Sequence, residues 1–318
     1  MSILSAPHFH DEAAAVARLE AIVWPEGPVC PHCSNADPKR HYQIKGKSAR
    51  PGLRTCAECR KQFTVKVGTV FEDSKVPLHK WFQAAHLLAA SKKGFSAHQL
   101  HRTLEVTYRT AWFMMHRLRE AMRDGSLAPF GGVDGLPGAS GTVEADETFI
   151  GREPGKPVKR AFHHKMKVLS LVDRESKQVR SVVVDDLKPE TIRPILVENI
   201  AKEASLHTDE SSIYTRIGGH FIDHQTVTHS QDEYVRGLVH TNTVEGYFSV
   251  FKRGMKGVYQ HCGKQHLHRY LAEFDFRYNN RVKLGVDDSE RAERALRGIR
   301  GKRLRYQGTC PQPSAQTP

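Results

Sequence analysis

Two cysteine pairs, Cys30-Pro-His-Cys33 and Cys56-Ala-Glu-Cys59, constrain this chain more than any other feature. Only 22 residues separate Cys33 from Cys56. Two such knuckles supply the four soft ligands of a tetrahedral zinc site. A segment this short buries too little surface to fold alone, so metal binding stands in for a core. Of six cysteines, Cys262 and Cys310 stand apart, which is metal-site usage in a reducing compartment and not a disulfide framework. His32 and His41 are read as ordinary polar neighbours, because four thiolates already fill the shell. The surrounding Lys39, Arg40, Lys45, Lys47, Arg50, Arg54, Arg60 and Lys61 form a basic surface suited to phosphate contact. Arg54, Arg60 and Lys61 are expected to touch DNA; the plainer alternative is a ribbon that serves only as scaffold.

The rest of the chain is basic as well. Lys and Arg number 48 against 35 Asp and Glu, a net +13, and that surplus points to a polyanionic partner such as nucleic acid. No apolar run reaches the roughly 18 to 20 residues of a membrane span, and the first dozen residues do not read as a secretory leader. The expected location is cytoplasmic, associated with the nucleoid, with no membrane partner.

Hydrophobic periodicity divides the chain. Residues 1–25 read as an amphipathic helix, 26–72 as the ribbon, and 76–123 as helical. Residues 124–141, rich in Gly and Pro, read as a linker. From 142 the period becomes that of strands: 142–150, 165–173 and 179–186, then a helix over 189–204 and strands over 205–209 and 223–229. Helical patterns resume over 239–254 and 265–281. Residues 142–285 therefore form one α/β domain, and 286–318 a basic, disordered tail.

Between ribbon and linker, residues 95–112 read as two short helices around a tight turn. Ser96 and Thr107 are the predicted caps, and Leu100, Leu104, Ala111, Met114, Met115 and Leu118 the buried positions. Tyr108, Arg109 and Thr110 open the second helix, the part of a helix-turn-helix that reaches base edges; the alternative is an ordinary helical hairpin.

Three separated acidic positions carry the predicted chemistry: Asp146 on the first strand, Asp209 at the end of the fourth, and Glu245 on a later helix. In an RNase H-like sheet these elements converge, and two Mg2+ or Mn2+ ions about 3.5 to 4 Å apart would bridge attacking and leaving oxygens. Such ions need few protein carboxylates, because water and phosphate complete the shell. Lys252 lies seven residues after Glu245, on the same helical face, where it reaches a phosphate. Glu144, Glu147 and Glu210 are read as solvated neighbours.

Together these motifs resemble the zinc-ribbon insertion-sequence transposases of the DDE/DDNK type, the bacterial group related to Merlin elements. The likeness rests on both cysteine knuckles, Phe63-Thr-Val-Lys-Val-Gly-Thr-Val-Phe71, Thr110-Ala-Trp112, Ala145-Asp-Glu-Thr-Phe-Ile-Gly151 and His207-Thr-Asp-Glu210. It extends through His240-Thr-Asn-Thr-Val-Glu-Gly246, Lys252-Arg253 and the segment from His266 to Asn279. The resemblance implies an α/β RNase H-like catalytic domain preceded by a zinc ribbon and a helix-turn-helix. Asp146 and Asp209 would be the first two metal ligands. The third varies in the group between an acid and asparagine, so Asn242 stands beside Glu245, with Glu245 preferred for its metal affinity. Arg253 joins the expected DNA contacts.

The implied activity is cleavage of double-stranded DNA at terminal inverted repeats and joining of the 3′-OH ends to target DNA. A homodimer or higher oligomer would hold both ends. The alternative from another class is a zinc-ribbon DNA-binding regulator with an inactive RNase H-like domain; a third is an RNase H-like nuclease that does not transpose.

Overall fold

A computed structural model of the chain describes residues 3–46, 49–125, 128–132, 141–158, 162–228 and 235–305. Lys47, Cys310, residues 126–127 and 133–140 of the expected linker and the tail beyond 305 lie outside them. The chain separates into two compact units, one of residues 1–85, 97–121 and 293–318, the other of 86–96 and 122–292. Among the described residues no helix is long and apolar enough to cross a membrane.

In the first unit, α1 (Glu12–Val23) starts where the Asp11 carboxylate accepts the Ala14 N–H at 2.7 Å, a cap worth about 1 kcal/mol. Its buried stripe is Ala15, Val16, Leu19 and Val23. The ribbon consists of three short antiparallel strands, β1 (His41–Gln43), β2 (Arg54–Cys56) and β3 (Gln62–Phe63), in that spatial order. Then come α2 (Leu78–Ala90), α3 (Ala97–Leu104) and α4 (Tyr108–Met122). Glu105 takes a left-handed φ of 51° in the turn between α3 and α4, and Thr107 Oγ1 accepts the Thr110 N–H at 3.1 Å. Leu100, Leu104, Ala111, Met114, Met115 and Leu118 are all buried, as their spacing predicts.

The second unit is built on a five-stranded sheet of β4 (Thr142–Ile150), β5 (Met166–Asp173), β6 (Gln178–Val184), β7 (Ser205–Asp209) and β8 (Asp223–Val227). Its order is β6-β5-β4-β7-β8. The β4–β5 and β5–β6 pairs are antiparallel, whereas β4–β7 and β7–β8 are parallel. A small hairpin joins β9 (Val235–Arg236) to β10 (Val239–His240). Helices cover both faces, which explains why β5 reads as a nearly continuous apolar run. On one face Val143, Ala145, Leu169 and Leu171 pack with α5 (Pro189–Asn199) and α6 (Ser212–Thr215). On the other, Ile150, Met166, Val168 and Val172 pack with α7 (Asn242–Gly254) and α8 (Lys264–Asn279). Strand alternation puts Glu144, Asp146 and Thr148 on the α7 face, with Val143, Ala145 and Glu147 opposite.

Two expectations need correction. The segment expected as a linker is anchored at Phe130, buried and bonded to residues Asn199 and Ala201 through its backbone N–H and C=O, both at 2.8 Å. Gly131 follows with φ 78°, and an added Cβ there would lie 2.3 Å from that of Ala204. The expected disordered tail starts instead with α9 (Asp288–Arg297), capped by Asp287. It then runs back along the ribbon unit, where the Val70 N–H meets the Ile299 carbonyl and the Gly301 N–H that of Gly68. Ile299 is fully buried, and this non-local pairing overrides the polar composition that suggested disorder.

Candidate active site and zinc centre

The two cysteine knuckles repeat one local fold. The Ser34 N–H bonds to the Cys30 carbonyl and the Arg60 N–H to that of Cys56, and both Ser34 and Arg60 adopt left-handed φ values of 59° and 58°. The turns aim all four sulfurs inward, within 4.8 Å of one another. Cys30 and Cys59 lie 3.6 Å apart and Cys33 and Cys56 3.7 Å. Four sulfurs at about 2.3 Å from a central zinc would be about 3.8 Å apart, so the cage fits that ion. Backbone N–H groups of Cys59 and then Glu58 lower the Cys56 thiol to about 7, favouring the thiolate. The nearby histidines have other contacts: His41 packs edge-on against Phe63, and His32 lies 3.2 Å from the Gln62 carbonyl.

The expected DNA contacts of this unit fall into different settings. Arg54 is held by Glu20 of α1 at 2.8 Å, half-buried, which makes it a strut of the ribbon. Arg60 and Lys61 are exposed beside the second knuckle. Tyr108 is 44% exposed and stacks on His98, Arg109 is exposed, and Thr110 shares the α4 cap with Thr107.

The acidic site lies where two parallel strands part. β4 pairs with β7 only as far as Glu144 opposite His207; two residues further along each strand stand Asp146 and Asp209. A carboxylate oxygen from each, together with one from Glu147, lies within 4.8 Å of the others. Asp146 accepts the Glu147 N–H at 2.7 Å, Asp209 accepts the Ser211 N–H at 3.0 Å, and the Tyr214 hydroxyl donates to Glu147 at 2.6 Å. Burial, then the Glu147 charge, pushes the Asp146 carboxyl up to about 8; Asp209 and Glu245 push the same way. Burial likewise lifts Glu147 to about 7. Acids crowded this closely, with the charged forms of Asp146 and Glu147 disfavoured, are a hard oxygen donor set that could hold a cation.

Glu147 and Glu144, expected to be solvated, are neither. Glu144 is fully buried, and its carboxylate accepts the Thr243 and Val244 N–H groups at 2.9 and 3.0 Å, the Thr243 hydroxyl at 2.7 Å and Arg174 at 2.6 Å. It caps α7 from another element, and Thr241, at the cap position, makes no side-chain cap bond. That cap is why the helix begins at Asn242; Val239 and His240, expected to be helical, pair with β9 instead. An acid inside the apolar run of a central strand was the available signal, since such a group is buried only when fully partnered.

α7 presents its remaining expected residues on different sides. Glu245 is outside the three-carboxylate cluster, although its charge is felt at Asp146. It accepts the Thr241 hydroxyl at 3.1 Å. Asn242 lines a separate cavity of about 800 Å³ with Gly246, Tyr247 and Val250. Lys252 is lowered by burial, while Asp146 opposes that shift and Lys256 and Lys165 add to it. Arg253 donates to the Ser249 carbonyl at 3.0 Å.

Two family descriptions match this chain, an ISXO2-like transposase domain over residues 138–279 and a transposase zinc-ribbon domain over residues 10–62. The chain belongs to this transposase family. All four cysteines fall in the second match, and the carboxylate cluster with α7 in the first. A protein of Halobacterium salinarum, described as an uncharacterized protein in transposable element ISH50, is 28% identical over 286 residues. That alignment takes in 85% of this transposase and 91% of the relative. A chain from the simian T-cell lymphotropic virus intasome in complex with PP2A regulatory subunit B56 gamma aligns over 62% of this chain and 65% of its own length. At 12% identity and a TM-score of 0.28, that likeness carries no argument.

Proposed function

We propose that this transposase cuts double-stranded DNA at the ends of an insertion sequence and joins the freed 3′-OH to target DNA, using divalent cations held at Asp146 and Asp209. The observation that carries the reading is the convergence of Asp146, Glu147 and Asp209 within 4.8 Å at the mouth of the parallel β4–β7 pair. The order β6-β5-β4-β7-β8 supports an RNase H-like assignment, with Asp146 on the first strand of the sheet and Asp209 on the fourth. Mg2+ or Mn2+ bound there supplies Lewis-acid activation of the attacking oxygen and charge neutralisation at the leaving one. The residues do the placing. Glu144 fixes the start of α7, so Glu245 and Lys252 face the Asp146 side, and Lys252 offers a cation to a phosphate beside the carboxylates. The third acidic ligand is Glu245 or Glu147. Glu147 is the nearer, whereas Asn242, in its separate cavity, is disfavoured.

DNA recognition belongs to the first unit in this reading. The exposed Arg60 and Lys61 beside the zinc and the exposed start of α4 would contact the duplex as a helix-turn-helix does. A complex of two or more copies would hold the two element ends. The deciding experiment incubates the purified protein with its own element-end DNA and Mg2+ and follows nicking and strand joining. Metal-dependent cleavage lost in Asp209→Asn is expected; cleavage that survives it would overturn the mechanism and favour a DNA-binding regulator.

A further inference from the structure

Beyond the carboxylates, the same unit holds a second feature, of which the cleavage reading uses only Lys252. A cavity of about 440 Å³ opens at the far end of β4, lined by Phe149, Phe162, Lys165, Lys252, Lys256 and Cys262 among others. Phe149 is three residues beyond Asp146, about 10 Å along a strand. Its ring stacks on Phe162 with centroids 4.1 Å apart and planes 23° apart. Phe162 is nonetheless 45% exposed. The His163 ring lies tilted at 5.8 Å from it. A half-exposed aromatic ring backed by a second ring is a platform for another planar group. Three lysines, Lys165, Lys252 and Lys256, line the same cavity; burial lowers Lys252, Asp146 opposes that shift, and Lys256 and Lys165 add to it. An anion seated in the cavity would meet all three ammonium groups.

We propose that this cavity takes one unpaired nucleotide of the DNA strand cut at the neighbouring carboxylates, its base on Phe162 and its phosphates on Lys165, Lys252 and Lys256. The inference rests on the strand-cleavage reading. A planar base beside a flexible anionic backbone is the chemistry that joins stacking to clustered ammonium groups. A base inside a duplex keeps its faces stacked on its neighbours, so only an extruded or frayed one can reach such a ring. The volume, at the lower end of ligand-pocket sizes, suits a single nucleotide and not a duplex. A purely apolar occupant would leave Lys165 and Lys256 without a partner anion at the cavity wall.

The test uses the full chain carrying Asp146→Asn, so that DNA is bound and not consumed. Two probes are compared, a blunt duplex and the same duplex with its last three bases unpaired, one of them a fluorescent adenine analogue. Stacking on Phe162 should quench the analogue, and the unpaired end should bind about tenfold more tightly, the size of one base–aromatic stack. Adding Phe162→Ala should abolish both effects, and Phe162→Tyr, which keeps the ring, should retain them. Lys256→Gln should reduce the preference and flatten its salt dependence without removing the quenching. Equal binding of both probes with no quenching, or a preference untouched by Phe162→Ala, overturns the inference while duplex binding leaves the cleavage reading standing. Failure to bind either probe overturns both.

Discussion

The ribbon and the carboxylate site are both tight ligand clusters, each with its donor atoms within 4.8 Å, yet they are held together by different means. Around the cysteines the secondary structure is three strands of 3, 3 and 2 residues, too little to hold four sulfurs in place without an ion. Around the carboxylates stands a sheet packed on both faces, whose central strand β4 is 9 residues long. There the apolar core holds three acids in mutual repulsion, each fully buried aliphatic or aromatic side chain contributing about 1.5–3 kcal/mol. In the ribbon a metal would make the structure; at the carboxylates the packed sheet brings the acids together by itself.

The largest expected effect breaks the first half of that contrast. Chelating the zinc, or Cys56→Ser, removes a binding energy on the order of 10–16 kcal/mol in comparable small zinc modules. Amide signals of residues 26–72 should collapse in NMR spectra while those of β4 to β8 stay in place. Ribbon signals that persist in metal-free protein would show that the module has a sufficient core of its own.

Next in size is the second half. Asp146→Asn and Asp209→Asn should each lower cleavage on the order of a thousandfold or more, since a metal ligand contributes several kcal/mol to the transition state. Both variants should melt at the wild-type temperature or above it, because each relieves the crowding of buried acids on a scaffold that needs no ion. The same assay ranks Glu147→Gln against Glu245→Gln, and the more damaging one marks the third ligand. A melting temperature that drops sharply in either aspartate variant would mean the ion also holds this domain together.

Glu144→Gln comes third. It removes a buried charge from Arg174 and two helix N–H groups, a loss of about 3–5 kcal/mol in urea unfolding. Cleavage should fall with it, because α7 loses its cap and Lys252 its placement. An unchanged midpoint would refute the capping role.

The smallest effect is a difference in sign with pH. Asp275 is buried in the second unit, accepting the Ser181 N–H and hydroxyl at 2.8 Å and the Tyr247 hydroxyl at 2.5 Å. Burial raises it from 3.8 to about 7 against those bonds and the Arg180 charge. Its folded value exceeds its unfolded one, so its contribution is complete below about 4 and is lost as pH rises towards 7, at no more than about 1.4 kcal/mol per pH unit. The ribbon runs the other way, since acid returns protons to the sulfurs and expels the metal. Calorimetry at several pH values should show the two units moving in opposite directions, and Asp275→Asn should flatten only the second.

Some of this was written locally along the chain. Paired cysteines turn inward through hydrogen bonds spanning four residues, so spacing alone marked all four ligands. Asp146 and Asp209 were also legible, because period-two alternation and a strand–helix–strand order place both on neighbouring strands. Glu144 and Glu147 were misread because adjacent acids look alike in sequence, and their fates depend on α7, Arg174 and Tyr214, whose bonds to them span between 30 and 100 residues. The ion pair of Arg54 was not legible for the same reason, its partner Glu20 being 34 residues distant. The sequence by itself thus determined the element types, the zinc ligands and the carboxylate strands, all products of short-range geometry. Only the tertiary structure decided which acids converge, which one caps a helix and where the tail returns, because burial and pairing are made by residues remote along the chain.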